Sequence, residues 1–214
     1  NGEFYDFQRI RADLTAQGIR FSSKSDSEIL LRLYQQQGLE QTLPMLRGEF
    51  AFALFDRRED CLYLVRDRFG VKPQYWAMTP DGLVFGSELK VLFAHPAVER
   101  RFTSDGLFHQ LMQTMVPGTT AFAGVHQVKP GHVLKVQRTA GRLEVSEWAY
   151  WDVNFPRQAD RDRSLDEAHH IASVRSALLE AVELRMVADV PVGCYLSGGI
   201  DSCSILGLAA AVSQ

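Results

Sequence analysis

Over residues 5–34 apolar residues recur at helical spacing, and from Gly48 to Phe85 the pattern changes to that of strands. Phe7, Ile10 and Leu14 share one face of a predicted helix over residues 5–17, which Gly18 is suited to end because it tolerates left-handed backbone. Ser25-Asp26-Ser27-Glu28 then has the S-x-x-E form of a capping box, in which a serine and a glutamate side chain each satisfy the other's backbone amide. A second amphipathic run follows at Ile29, Leu30, Leu33 and Tyr34, so Asp26 is expected in the first turn of a helix, where amides and dipole favour a carboxylate. Alternation predicts strands at 50–55, 62–65 and 83–85, and the short turns between them imply antiparallel pairing. A helix from Ser104 to Met115 and a strand over 132–136 are expected next.

Residues 154–163 are polar, include Pro156 and read as a linker. Beyond it, Leu165, Ile171, Val174, Leu178, Val182 and Met186 predict a long helix over 164–187, followed by a β-branched strand over 190–196 and a helix over 201–212. Strand, glycine turn and helix in that order open a parallel α/β layer. The expected organisation is a first domain over 1–153, the linker, and the beginning of a second domain over 164–214.

Composition narrows the function classes. Of 214 residues 46% are hydrophobic and 23% charged, as in ordinary globular protein. A formal charge of -3 gives no general electrostatic reason to bind nucleic acid or anionic membrane, and no apolar run approaches a membrane span. The opening residues lack the apolar core of a secretory signal, which leaves the cytoplasm as the expected location. Cys61, Cys194 and Cys203 are an odd, scattered set without metal-ligand spacing, so reduced and mostly buried thiols are expected. The chain begins at Asn1 without a methionine and stops at Gln214 after an apolar helical run, and both ends read as cut from a longer polypeptide.

The sharpest local signal is Ser197-Gly198-Gly199-Ile200-Asp201-Ser202, between the expected strand and helix. Adjacent glycines let the backbone turn tightly and leave no Cβ to block a ligand approaching the N–H groups. With a helix dipole behind them, those donors suit a phosphate or pyrophosphate. Ser197 and Ser202 can add hydroxyls, whereas Asp201 would repel phosphate unless a cation such as Mg²⁺ lay between them. The loop has neither the spacing nor the lysine of a Walker motif.

PVGCYLSGGIDS resembles the pyrophosphate loop of the ATP-pyrophosphatase family, whose members split ATP to AMP and pyrophosphate. The resemblance implies that backbone atoms of Tyr195 and Leu196 pass the adenine, that Ser197, Gly198, Gly199, Asp201 and Ser202 hold ATP, and that Asp201 meets Mg²⁺ through pyrophosphate. The blocks NGEFYDF, SDSEILLRLY, LRGEFAFALFD, VRDRFGVKPQYW and FGSELKVL resemble the glutaminase domain of class II glutamine amidotransferases, most closely the asparagine synthetase branch. That resemblance implies an α+β fold of the N-terminal-nucleophile type, with packed antiparallel sheets and helices, followed by the start of a parallel-sheet ATP-pyrophosphatase domain. It also implies an oxyanion hole from the Asn1 side chain and the Gly2 N–H, with Glu3 and Asp26 holding the α-ammonium of glutamine.

Departures from the family pattern matter as much. Its nucleophile is an N-terminal cysteine, which this sequence lacks, and the arginine that binds the glutamine carboxylate lies upstream of the matching blocks. Asp6 stands where asparagine is more usual. The purified 214-residue chain is therefore expected to release no ammonia from glutamine; ammonia formation in a coupled assay would refute this. His169 and His170 are adjacent on a helix and point apart, so they read as ordinary histidines rather than a metal pair. Asp67, between Arg66 and Arg68, reads as an ion-paired strand end, and Trp76, Trp148 and Trp151 read as core and interface aromatics.

As the resemblance implies, the full enzyme would transfer glutamine-derived ammonia to an aspartyl-adenylate, giving asparagine, AMP and pyrophosphate. Its partners would be glutamine, ATP and aspartate or another carboxylate; a homodimer is one open arrangement. Two alternatives stand beside it: an amidotransferase of the same architecture with a different acceptor, and a non-catalytic module that has lost the nucleophile.

Overall fold

Strand alternation sets the layers of the first unit. The computed structural model describes residues 1–114, 116–160, 164–188 and 190–213, which fall into two units, Asn1–Val153 and Asn154–Gln214. In the first, β1 (Gly2–Phe4), α1 (Phe7–Ala16) and α2 (Ser27–Thr42) precede β2 (Gly48–Asp56) and β3 (Cys61–Arg66). There follow β4 (Tyr75–Thr79), β5 (Gly82–Gly86), α3 (Leu89–Leu92), α4 (Ser104–Leu111), β6 (Val125–Gln127), β7 (His132–Thr139) and β8 (Arg142–Ala149). One sheet has the order β1-β2-β3-β7-β8 and the other β5-β4-β6, and every neighbouring pair is antiparallel.

Because successive side chains of a strand face opposite ways, the larger sheet has two apolar faces. Phe50, Tyr63, Val65, Val133 and Trp148 face the helices, meeting Ile10 and Leu14 of α1 and Ile29, Leu30 and Leu33 of α2. Leu62, Leu64, Leu134, Val136 and Leu143 face the smaller sheet, meeting Trp76 and Leu83. Across the smaller sheet Ala77 and Val125 pack with Leu92, Val98 and Phe122. The expected packed antiparallel sheets with helices are thus present. Their strands include four that alternation missed, namely β1, β4, β6 and β8. The predicted helix at Ser104 ends at Leu111, and its expected end at Met115 lies outside the described residues.

In the second unit, α5 (Glu167–Met186) is capped by Asp166, whose carboxylate accepts from the His169 N–H at 2.8 Å, and α6 (Ile200–Val212) follows the double-glycine turn. The expected linker falls within this unit, and its last three residues, 161–163, lie outside the described set. The strand expected at 190–196 does not form; residues 191–197 carry no regular structure. A strand exists only as a partner in a ladder, and among the described residues of this unit no other strand offers one. Val190, Tyr195 and Leu196 are exposed as a result. So are Cys194 and Cys203, contrary to the expectation of mostly buried thiols; Cys61 is buried.

Candidate functional site

The ladder between β1 and β2 decides which amides face outward. Asn1 and Ala51 exchange both backbone bonds, Asn1 N to Ala51 O at 3.1 Å and Ala51 N to Asn1 O at 2.9 Å. Antiparallel ladders alternate bonded and non-bonded pairs, so Gly2, opposite Phe50, turns its N–H away from β2. Since β1 is the edge of its sheet, that donor points out of the sheet. Phe4 points the same way two residues on, and its N–H donates to Asp26 Oδ2 at 3.0 Å.

Asp26 thereby stands beside β1 although 22 positions separate it from Phe4. Its other oxygen accepts from the hydroxyls of Ser25, at 3.4 Å, and Ser27, at 3.2 Å. Glu3 is exposed on the same short strand, directly opposite Glu49, and the second carboxylate is neutralised by Lys72, whose Nζ lies 3.0 Å from Glu49 Oε1. Asn1 is exposed at the strand's start. The fold therefore brings Asn1, Gly2, Glu3 and Asp26 to one sheet edge, with one outward backbone donor and two carboxylates.

Gly2 is required there by space and by conformation. Its φ is +117°, and an added Cβ would sit 1.9 Å from the Glu49 carbonyl oxygen and 2.7 Å from the Phe50 Cα. The opposite strand makes the reciprocal demand at Gly48, where a Cβ would meet the Glu3 carbonyl oxygen at 2.0 Å.

The capping box does not form. The α2 helix begins at Ser27, and the Ser25 hydroxyl does accept from the Ser27 N–H at 3.3 Å, but Glu28 does not reach back to Ser25. Instead its carboxylate accepts from the N–H of Ser22 (2.8 Å), the N–H of Ser23 (2.7 Å) and the Ser23 hydroxyl (2.7 Å), because the chain arriving from α1 doubles back over this turn. These bonds, led by the Ser22 amide, hold the Glu28 carboxyl at about 2, against a usual 4.5. A depressed carboxyl pKa contributes stability that is whole above the ordinary value and disappears as pH falls through the folded one. Urea unfolding of the protein and of Glu28→Gln should thus differ most at neutral pH and converge between 4.5 and about 2. A gap that stayed constant over that window would contradict the bonding described.

Asp67 is also bound otherwise than expected. It is 1% exposed and accepts from backbone N–H groups rather than pairing with an arginine: Phe50 at 3.3 Å, Phe69 at 3.1 Å, Val71 at 3.0 Å and Lys72 at 3.0 Å. Arg66 turns to carbonyls, donating to Lys72 O (2.8 Å), Val128 O (2.9 Å) and Gly70 O (2.6 Å), and burial pulls its pKa down. A tight turn exposes several amides on its inner side, and a carboxylate inside it satisfies more of them than a single ion pair would. Tyr150 closes this corner by donating to the Arg66 carbonyl oxygen at 2.9 Å; burial first, and the Asp67 charge second, push its hydroxyl pKa up. Asp67 thus ties the turn to Phe50, the partner of Gly2. An acid inside RDRFG was the only signal of that role in the sequence.

In the second unit the loop 197–199 leads into α6. Gly198 has φ +83° and open space where a Cβ would sit, and Gly199 caps the helix without a side-chain acceptor for the first-turn amides. Ser197 and Ser202 hydroxyls lie 3.0 Å apart, and the Ser202 hydroxyl donates to the Gly199 carbonyl oxygen at 3.0 Å. Asp201 lies in the first turn, exposed and without a partner among the described residues. The loop thus keeps helix-start amides open to an anion, while its two hydroxyls bond to each other and to the Gly199 carbonyl oxygen. Tyr195 and Leu196, expected to line an adenine with their backbone, are exposed on the irregular segment before it. In the first unit Cys61 is buried on β3 and burial pushes its thiol pKa up, which suits packing rather than nucleophilic attack.

Residues 1–151 match the family model of the glutamine amidotransferase domain, and residues 173–214 match that of asparagine synthase. Among curated proteins the chain is 37% identical, over 98% of its length, to glutamine-hydrolyzing asparagine synthetase 3 of Bacillus subtilis, of which it covers 33%. It is 42% identical over 97% of its length to Amidase chry2 of Gibberella zeae, covering 30% of that protein. To Amidase chyE of Penicillium rubens it is 39% identical over 98%, again covering 30% of the relative. The chain spans about a third of the length of these curated relatives.

Proposed function

Because the chain belongs to the glutamine amidotransferase domain family and continues into an asparagine synthase segment, we propose that it recognises glutamine for ATP-dependent transfer of the amide nitrogen to a carboxylate. The observation that carries this reading is the bond from the Phe4 N–H to Asp26, which sets a carboxylate beside Glu3 and the outward Gly2 N–H. Two carboxylates suit the α-ammonium of an amino acid. The Gly2 N–H and the Asn1 side-chain amide suit the amide oxygen, which becomes negative as a thiolate adds to the carbon. The thiolate is that of the family's N-terminal cysteine, which these 214 residues do not contain; its addition would expel ammonia and leave a thioester that water hydrolyses to glutamate.

The second unit takes Mg²⁺-bound ATP. The open loop at Gly198 and Gly199, the hydroxyls of Ser197 and Ser202 and the uncapped first turn of α6 fit a pyrophosphate, and the unpartnered Asp201 fits a cation between itself and phosphate. Backbone atoms of Tyr195 and Leu196 would pass the adenine. ATP supplies activation of the acceptor carboxylate, with AMP and pyrophosphate as products once ammonia has formed the amide. Aspartate is the acceptor in this reading, and the cytoplasm its location; no helix among the described residues is long and apolar enough to cross a membrane. A second reading, an acceptor carboxylate other than aspartate, is favoured by the 42% and 39% identities to two proteins named amidases.

Calorimetric titration of glutamine into the chain tests the first site. Asp26→Asn should weaken binding by about tenfold to a hundredfold, the worth of a charged hydrogen bond. Equal affinity of the variant, or no heat of binding from the unsubstituted chain, would remove Asp26 and this edge from glutamine recognition.

A further inference from the structure

The segment 22–26 carries Asp26, yet none of its side chains is buried, so no apolar contact holds it in place. Beside the Phe4–Asp26 bond and those among its own residues, its backbone is held from two flanking helices, and these bonds are sorted by charge. From α1, Arg11 donates to the carbonyl oxygens of Ser23, through Nη1 at 2.7 Å, and Ser25, through Nη2 at 2.6 Å, while its guanidinium lies 4.3 Å from the Phe21 ring centroid. From α2, Glu28 accepts the amides of Ser22 and Ser23 and is itself held by Arg32 at 2.8 Å. A cation takes the carbonyls and an anion takes the amides, so the backbone of the segment is gripped on both of its polar edges.

Resting on the glutamine reading above, we infer that Arg11 and Glu28 are positioning residues for glutamine recognition, holding segment 22–26 so that Asp26 stays on the Phe4 amide beside Glu3. They touch no substrate; they act through Asp26. The guanidinium suits the task because its fixed fork spans two carbonyls at once, which a lysine ammonium on a flexible stem does not. Loss of Arg11 frees the Ser23 carbonyl to water and leaves the Ser25 carbonyl only the Glu28 N–H at 3.4 Å, and the loop then samples positions in which Asp26 leaves Phe4.

Two measurements on the chain decide the point. In glutamine titrations Arg11→Ala should weaken binding by about tenfold and Arg11→Lys by somewhat less, whereas in an Asp26→Asn background Arg11→Ala should add less than about twofold. Fully additive losses in the double variant would overturn the inference, since they would mean that Arg11 acts on the fold at large. Hydrogen exchange at the Phe4 amide should accelerate by about tenfold or more in Arg11→Ala and Glu28→Gln. Unchanged Phe4 exchange would overturn the inference as well. If Asp26→Asn leaves glutamine affinity untouched while Phe4 exchange still responds to Arg11, the clamp stands and the glutamine reading is what fails.

Discussion

Gly2→Ala is expected to destabilise the chain by about 2–4 kcal/mol and, on the proposed reading of this edge, to abolish glutamine binding. The backbone at Gly2 combines φ +117° with a Cβ position 1.9 Å from a carbonyl oxygen, and neither the strain nor the clash can be relieved by moving a side chain. Relief requires β1 to part from β2, and a three-residue strand has few bonds with which to resist. Gly18→Ala is the control: φ there is +86°, but nothing lies within 4 Å, so only the backbone term of about 1 kcal/mol remains. Urea unfolding of the two variants should separate conformation from contact. Equal, small losses at both positions would mean that β1 is not locked against β2 as described.

Asp67→Ala is expected to cost about 3–5 kcal/mol, because it strips the acceptor from four backbone amides at a residue only 1% exposed. Asp67→Asn, which keeps one acceptor oxygen but places an NH₂ among donors, should fall between alanine and the native residue. The turn would also lose its hold on Lys72, and with it the neutralisation of Glu49 opposite Glu3. Denaturant melts with an unchanged slope would report this directly. A loss below about 1 kcal/mol would show that water serves those amides equally well.

Much of this architecture was legible in residue patterns, and what was not has identifiable causes. Helical periodicity found α1 and α2, and alternation found β2, β3 and β7, because those elements bury a regular apolar face; the same patterns also marked α5 and β5, whose side chains are mostly exposed or half-buried. β1 is only three residues long and owes its conformation to its partner, so no period could reveal it. β8 lies at a sheet edge with mostly exposed side chains, where alternation is weakly enforced. The strand expected at 190–196 had the right composition, but pairing is a property of two segments and one sequence window describes only one. At the sites, the residue types in NGE, SDSE and SGGIDS were readable as chemistry. Their supports were not: Glu28 fitted a capping box on spacing alone, and Asp67 fitted an ion pair because two arginines adjoin it, whereas the backbone amides that claim both carboxylates are invisible until the loops are folded.

The bond between Phe4 and Asp26 has a consequence for self-association. An exposed outer strand invites another polypeptide to lie along it, rung by rung, and fibres begin that way. Here the outward N–H at Phe4 is already taken by a carboxylate, which leaves the Gly2 N–H as the outward donor on β1. One donor accommodates the oxygen of a small molecule but gives an incoming strand no second N–H to grasp along β1, which disfavours pairing of this edge with another polypeptide.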